Sequence, residues 1–150
     1  DFKESFLAMH LGRPLLGQRT LDLLAVMAGS GDGCHLVGTG QAAPAALHAA
    51  LFEPRARRVT LEGMVISWSK VARTPQAANQ LGNVVPGALE AYDLPDLAAA
   101  LAPRPLEILS PVDPAGRALS QAELEEAYEP ARASYKAAGA LESLVLRAAP

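Results

Sequence analysis

Apolar residues along this chain alternate between stretches at helical spacing and short continuous runs, with Pro and Gly marking most of the joints. Leu16, Leu23, Leu24 and Met27, with Leu21 alongside, predict a helix over Leu15 to Ala28. Pro14 suits its first turn, and Gly29-Ser30-Gly31-Asp32-Gly33 is a strong stop. The run Cys34 to Val37 is short enough for a buried parallel strand. Ala42 to Phe52 predicts a second helix ended by Glu53-Pro54. Pro44 is compatible with that helix only in its first turn, where amide donors have no intrahelical acceptor.

Past the basic link Arg55-Ala56-Arg57-Arg58, the β-branched run Val59 to Ile66 predicts a second strand. Ser67 to about Leu94 reads as loop with one helix around Pro86 to Tyr92. Asp93-Leu94-Pro95-Asp96 offers a helix start, and Leu97 to Leu101 a short helix closed by Pro103. Leu106 to Leu109 is a third strand between prolines. The capping box Ser120-x-x-Glu123 begins a long helix ending near Gly139, and Leu141 to Leu146 is a fourth strand. Helices alternating with apolar strands predict an α/β fold, a three-layer α/β/α sandwich with a mainly parallel sheet and right-handed crossovers.

Composition narrows the function classes. Of the 150 residues 50% are hydrophobic, mostly Ala, Leu and Val, and only 5% are aromatic, which suits helices on a sheet of modest side chains. A net charge of -3 gives no case for nucleic acid or an anionic membrane, and no apolar run approaches a bilayer-spanning length. Cys34 is the only cysteine, so an internal disulfide and a multi-cysteine metal site are excluded, while the compartment stays open. His10, His35 and His48 stand apart with no metal-ligand spacing. The chain begins at Asp1 and stops at Pro150 directly after an apolar stretch, and the expectation is a piece of a longer protein.

The candidate chemistry lies in Cys34 to Pro44, which admits two readings. As Gly38-x-Gly40-x-x-Ala43 it fits a dinucleotide-binding turn, with Glu62 on the next strand placed to meet a ribose. Against this stand the helix before the supposed first strand, Pro44 in place of an amide donor, and Ala43 as the third small residue. As Gly38-Thr39-Gly40-Gln41-Ala42 it fits a hydrolase nucleophile elbow whose apical serine is replaced by Gly40. The crowded turn of an elbow needs small residues two before and two after its apex, and Gly38 and Ala42 meet that demand.

With this elbow, three further segments resemble the later half of an α/β-hydrolase, more narrowly its acetyl xylan esterase-like and dienelactone hydrolase-like branch. Leu11 to Asp22 resembles the helix before the nucleophile strand, and Tyr92 to Leu97 with Ala102-Pro103-Arg104-Pro105-Leu106 the approach to the next core strand. Pro111-Val112-Asp113-Pro114-Ala115-Gly116-Arg117 resembles the loop that supplies the triad carboxylate. The resemblance implies that Gly40 occupies the vacant nucleophile position, that Gln41 supplies an oxyanion-hole backbone amide, and that Asp113 holds the acid position. The catalytic histidine would follow the last strand and does not occur in this sequence.

The expectation is therefore that residues 1–150 form the C-terminal half of one α/β-hydrolase-like domain. That domain would be a degenerate carboxylester hydrolase-like one lacking its serine, non-catalytic in itself, with no cofactor. Its partner would be a carbohydrate or ester ligand, or a neighbouring domain of the same parent chain. The alternatives are a part of an active esterase whose catalytic residues lie elsewhere in the parent, and an NAD(P)-binding domain using the glycine turn. Of the remaining residues, Thr39 and Ser67 are hydroxyls off the apex, and His48 reads as a packed or surface residue. Trp68, with Lys70 and Arg73, falls at the carboxyl end of the second strand, where it lines a pocket or packs under the following loop.

Overall fold

The computed structural model describes residues 2–150. Helices α1 (Phe2–His10) and α2 (Leu15–Ala28) lead into β1 (Cys34–Thr39), and a 3-10 turn over Gly40–Ala42 passes directly into α3 (Ala43–Phe52). Then come β2 (Ala56–Glu62), α4 (Trp68–Ala72), α5 (Leu94–Ala100), β3 (Leu106–Leu109), α6 (Gln121–Ala127), α7 (Glu129–Ala137) and β4 (Leu144–Arg147). The strands make one parallel sheet in the order β1-β2-β3-β4. The α/β class with a parallel sheet is the one the alternating pattern predicted.

Side-chain alternation along the strands divides the sheet into two faces. Leu36, Val59, Leu61, Leu106 and Ile108 are buried on one of them. There α3 packs on β1 and β2, with α2 and α5 beside it and α7 against α5. Every residue of α3 from Ala43 to Ala50 is buried. That is why the helix is so rich in alanine: small side chains on all sides let strand and flanking helices approach closely. On the opposite face polar side chains bridge three strands. His35 Nε2 donates to Thr60 Oγ1 at 2.8 Å, Thr60 donates to Glu107 at 2.6 Å, and Arg58 bonds the other Glu107 oxygen at 2.6 Å.

Several boundaries differ from those the sequence predicted. β2 ends at Glu62 because Gly63 turns the chain with φ +63; Met64, Val65 and Ile66 are buried outside the strand, where Val65 makes an isolated parallel bridge to Val112. The predicted helix over Pro86 to Tyr92 is only a 3-10 turn, Ala88–Glu90, entered through Gly87 in the left-handed region. The long helix from Ser120 is two helices that meet at Tyr128, with Pro130 in the first turn of the second. Pro130 brings no amide hydrogen to continue the first helix's ladder.

Candidate functional site

The turn at the carboxyl end of β1 is built from three small residues with different duties. Gly38 is still in the strand and faces α3. A Cβ placed there would lie 2.7 Å from Ala46 Cβ and 2.8 Å from Ala43 Cα, so glycine is a steric requirement of the strand–helix contact. Thr39 is extended, and Gly40 then adopts φ +53, reversing the chain into the 3-10 turn. A Cβ on Gly40 would meet nothing within 4 Å. The apex of the turn therefore faces open space while its base is closed by packing.

Gly63 stands beside this apex. The register pairs Thr39 with Glu62, so the next residue along each strand is a glycine of positive φ, Gly40 at +53 and Gly63 at +63. Sequence reading missed Gly63, since the apolar run around it conceals the strand end. Gln41 follows the apex inside the 3-10 turn, where amide donors at the start of a helix lie beyond the intrahelical ladder.

Asp113 lies past the carboxyl end of β3. Because β2 separates β1 from β3, the ends of those two strands stand about 10 Å apart along one sheet edge. The Asp113 carboxylate is engaged within its own loop. One oxygen accepts from the Ala115 and Arg117 amides at 2.9 and 2.8 Å, and the other from Arg117 Nε at 3.0 Å. The Arg117 amide foremost, helped by the Ala115 amide and the Arg117 guanidinium, holds this carboxyl below its ordinary range. Arg117 is shared with Glu123 at 2.9 Å, so the loop is tied to the start of α6.

No protein-family model matches this sequence, and no curated protein does. Among solved structures, one described as a "putative acetyl xylan esterase" from Bacteroides fragilis is similar, with a TM-score of 0.76 at 16% identity. The similarity covers 95% of this chain but only 38% of that one, so the chain spans well under half of its structural neighbour. At this identity the likeness is one of fold.

A second polar cluster, scattered in sequence, forms between α3, α4 and α5. Asp93 caps α5 and accepts from Ser67 Oγ at 2.6 Å, Trp68 N at 2.7 Å, Ser69 N at 3.1 Å and Leu94 N at 2.6 Å. Burial pushes its carboxyl up, but these bonds together outweigh burial and hold it low. His48 donates from Nδ1 to the Pro44 carbonyl at 2.6 Å, which leaves Nε2 to accept from Tyr92 Oη at 3.1 Å. Its ring stacks on Trp68 with centroids 5.5 Å apart. Burial pushes His48 down, so it sits neutral in the core, as a packed histidine. The capping motif at Asp93 was legible in the sequence; its capture of Ser67 and Trp68 from a distant segment was not. Among the described residues no three His, Cys, Asp or Glu side chains gather as a metal would need, and no helix is long and apolar enough to cross a membrane.

Proposed function

We propose that this chain is a catalytically degenerate carboxylester hydrolase-like domain, the C-terminal half of one such unit, whose nucleophile position is Gly40. The observation that carries the reading is the turn itself. Gly40 has φ +53 at the end of a parallel strand, with open space where a reacting side chain would stand, and Gly38 is packed tightly behind it. Gln41 would keep its role as a backbone oxyanion donor, and Asp113 would mark the acid position. Its oxygens already serve the loop from Asp113 to Arg117.

Without a nucleophile the retained chemistry is binding: a carbohydrate or ester at the carboxyl edge of the sheet, or support of a neighbouring domain of the parent chain. Incubation of the chain with 4-nitrophenyl acetate tests the proposal. The expected result is nitrophenol release no faster than in buffer containing a denatured sample. Saturable turnover with an initial acyl-enzyme burst would overturn it.

A further inference from the structure

A pocket of about 520 Å³ lies between α2 and α3. Its wall is mostly apolar, with Leu16, Leu21, Leu24, Phe52 and Val85 beside Tyr92. Leu21 and Phe52 are 60% and 72% exposed, so a guest can reach the apolar wall from solvent. No Asp or Glu lines the pocket, and Arg13, in the turn before α2, is its one charged side chain among the described residues. His48, its two nitrogens engaged by the Pro44 carbonyl and Tyr92, sits there neutral.

Two residues of the lining are unexplained by the fold itself. Arg13 is exposed, and only its backbone is engaged, by the Ala8 carbonyl and the Gln18 side-chain amide; its guanidinium has no hydrogen bond or ion pair among the described residues. Gly17 lies within α2, where glycine weakens a helix relative to alanine. A Cβ there would touch only Pro14 Cγ, at 3.9 Å, so packing does not demand glycine, and the missing side chain widens the pocket. An unpaired guanidinium beside an open apolar wall is complementary to an amphiphile of negative charge, and its planar fork matches a carboxylate. At the rim the charged head stays hydrated while the tail leaves water, so no charge is buried.

We propose that this pocket binds an amphipathic monocarboxylate of medium chain length, its carboxylate on Arg13 at the rim and its hydrocarbon tail laid past Gly17 against Leu21, Leu24 and Phe52. A cationic amphiphile would meet the same wall but be repelled by Arg13. A carboxylate without a tail would gain only a solvated ion pair, which is worth little. The inference is independent of the esterase-like reading, since no residue of the turn at Gly40 lines the pocket.

Octanoate is the probe and octylammonium its cationic counterpart, each titrated below micelle-forming concentrations into the ¹⁵N-labelled full chain. The expected result is a saturable shift confined to amides around the pocket, those of Gly12, Gly17 and Phe52 among them, with a Kd for octanoate of roughly 0.1–5 mM. Octylammonium should bind at least about threefold more weakly. Arg13→Glu, at an exposed position whose side chain has no partner among the described residues, should erase or reverse that preference. Gly17→Leu, which fills the pocket from a position with room for a Cβ, should abolish saturation by both probes while the far-UV circular dichroism stays native. Arg13→Glu decides alone if Gly17→Leu loses the native spectrum. Shifts that never saturate, or that spread over the whole chain, would overturn the proposal. So would equal affinity for the two probes, a preference unchanged in Arg13→Glu, or saturation undiminished in folded Gly17→Leu.

Discussion

Replacing Gly38 by alanine should be far more damaging than the same change at Gly40, although Gly40 is the residue with the unusual backbone. The added carbon at position 38 would stand 2.7 Å from Ala46 Cβ and 2.8 Å from Ala43 Cα. Carbon atoms pack best at about 3.5–4.0 Å, so close to an ångström must be found between β1 and α3. The helix cannot retreat easily, because its residues from Ala43 to Ala50 are all buried and α2 and α5 pack against it. Overpacking of this kind costs up to about 3 kcal/mol, offset by roughly 0.4–1 kcal/mol from stiffening the unfolded chain. The expected net loss reaches about 2–2.6 kcal/mol, a fall in Tm of roughly 4–10 °C for a domain of this size. Gly40→Ala meets no atom within 4 Å and suffers only the left-handed backbone, about 1–2 kcal/mol less the same entropic offset. Ala46→Gly in the Gly38→Ala background removes the closer contact and should recover part of the loss, despite about 1 kcal/mol for glycine within a helix. Urea denaturation followed by far-UV circular dichroism measures all four chains. Gly38→Ala costing no more than Gly40→Ala would refute the steric assignment of the turn.

Asp93→Ala should destabilise by about 3 kcal/mol in the same assay, since it removes the α5 cap and orphans the Trp68 and Ser69 amides; Asp93→Asn should cost about half as much. Tyr128→Phe should leave stability unchanged or raise it by about 1 kcal/mol, because the hydroxyl is buried without a partner among the described residues. Acid should weaken the fold in two stages. The unfolded chain takes up a proton that buried His48 refuses, so stability begins to fall as pH drops below 6.5, and His48→Phe should erase that first slope in a urea series against pH. A second decline should start near 4.5 and continue towards 2. There Glu53 and Glu123, each held to about 2 first by its side-chain bond to arginine (Arg55 and Arg117), lose their charge.

Much of this fold was legible because periodicity reports burial, and where burial and secondary structure part company the reading slipped. The bounds of α2 and β3 coincide with the predicted ones, since proline or glycine brackets each. Val59 to Ile66 is one apolar run, yet β2 ends at Glu62; past Gly63 the chain keeps only an isolated parallel bridge, Val65 to Val112, and an apolar pattern cannot distinguish such a buried segment from strand. α1 drew no prediction, because its large residues Phe2, Phe6 and Leu7 are exposed and mark no buried stripe. At the turn, the sequence indicated that Gly38 must be small, and the Ala43 and Ala46 contacts supply the reason. A pocket lined by Trp68 was one of two readings open in the sequence, and Trp68 does line one; the 3-10 turn that brings Asn83 to the same pocket follows no helical or strand period and was not legible.

The proposal that the β1–α3 turn carries no nucleophile is tested most directly by treating the native chain with a fluorophosphonate probe and mapping any adduct by peptide mass spectrometry. No phosphonylated residue is expected in the peptide containing Gly38 to Ala42. A stoichiometric adduct on Thr39, abolished by prior denaturation of the chain, would contradict the assignment of Gly40 as a vacant nucleophile position.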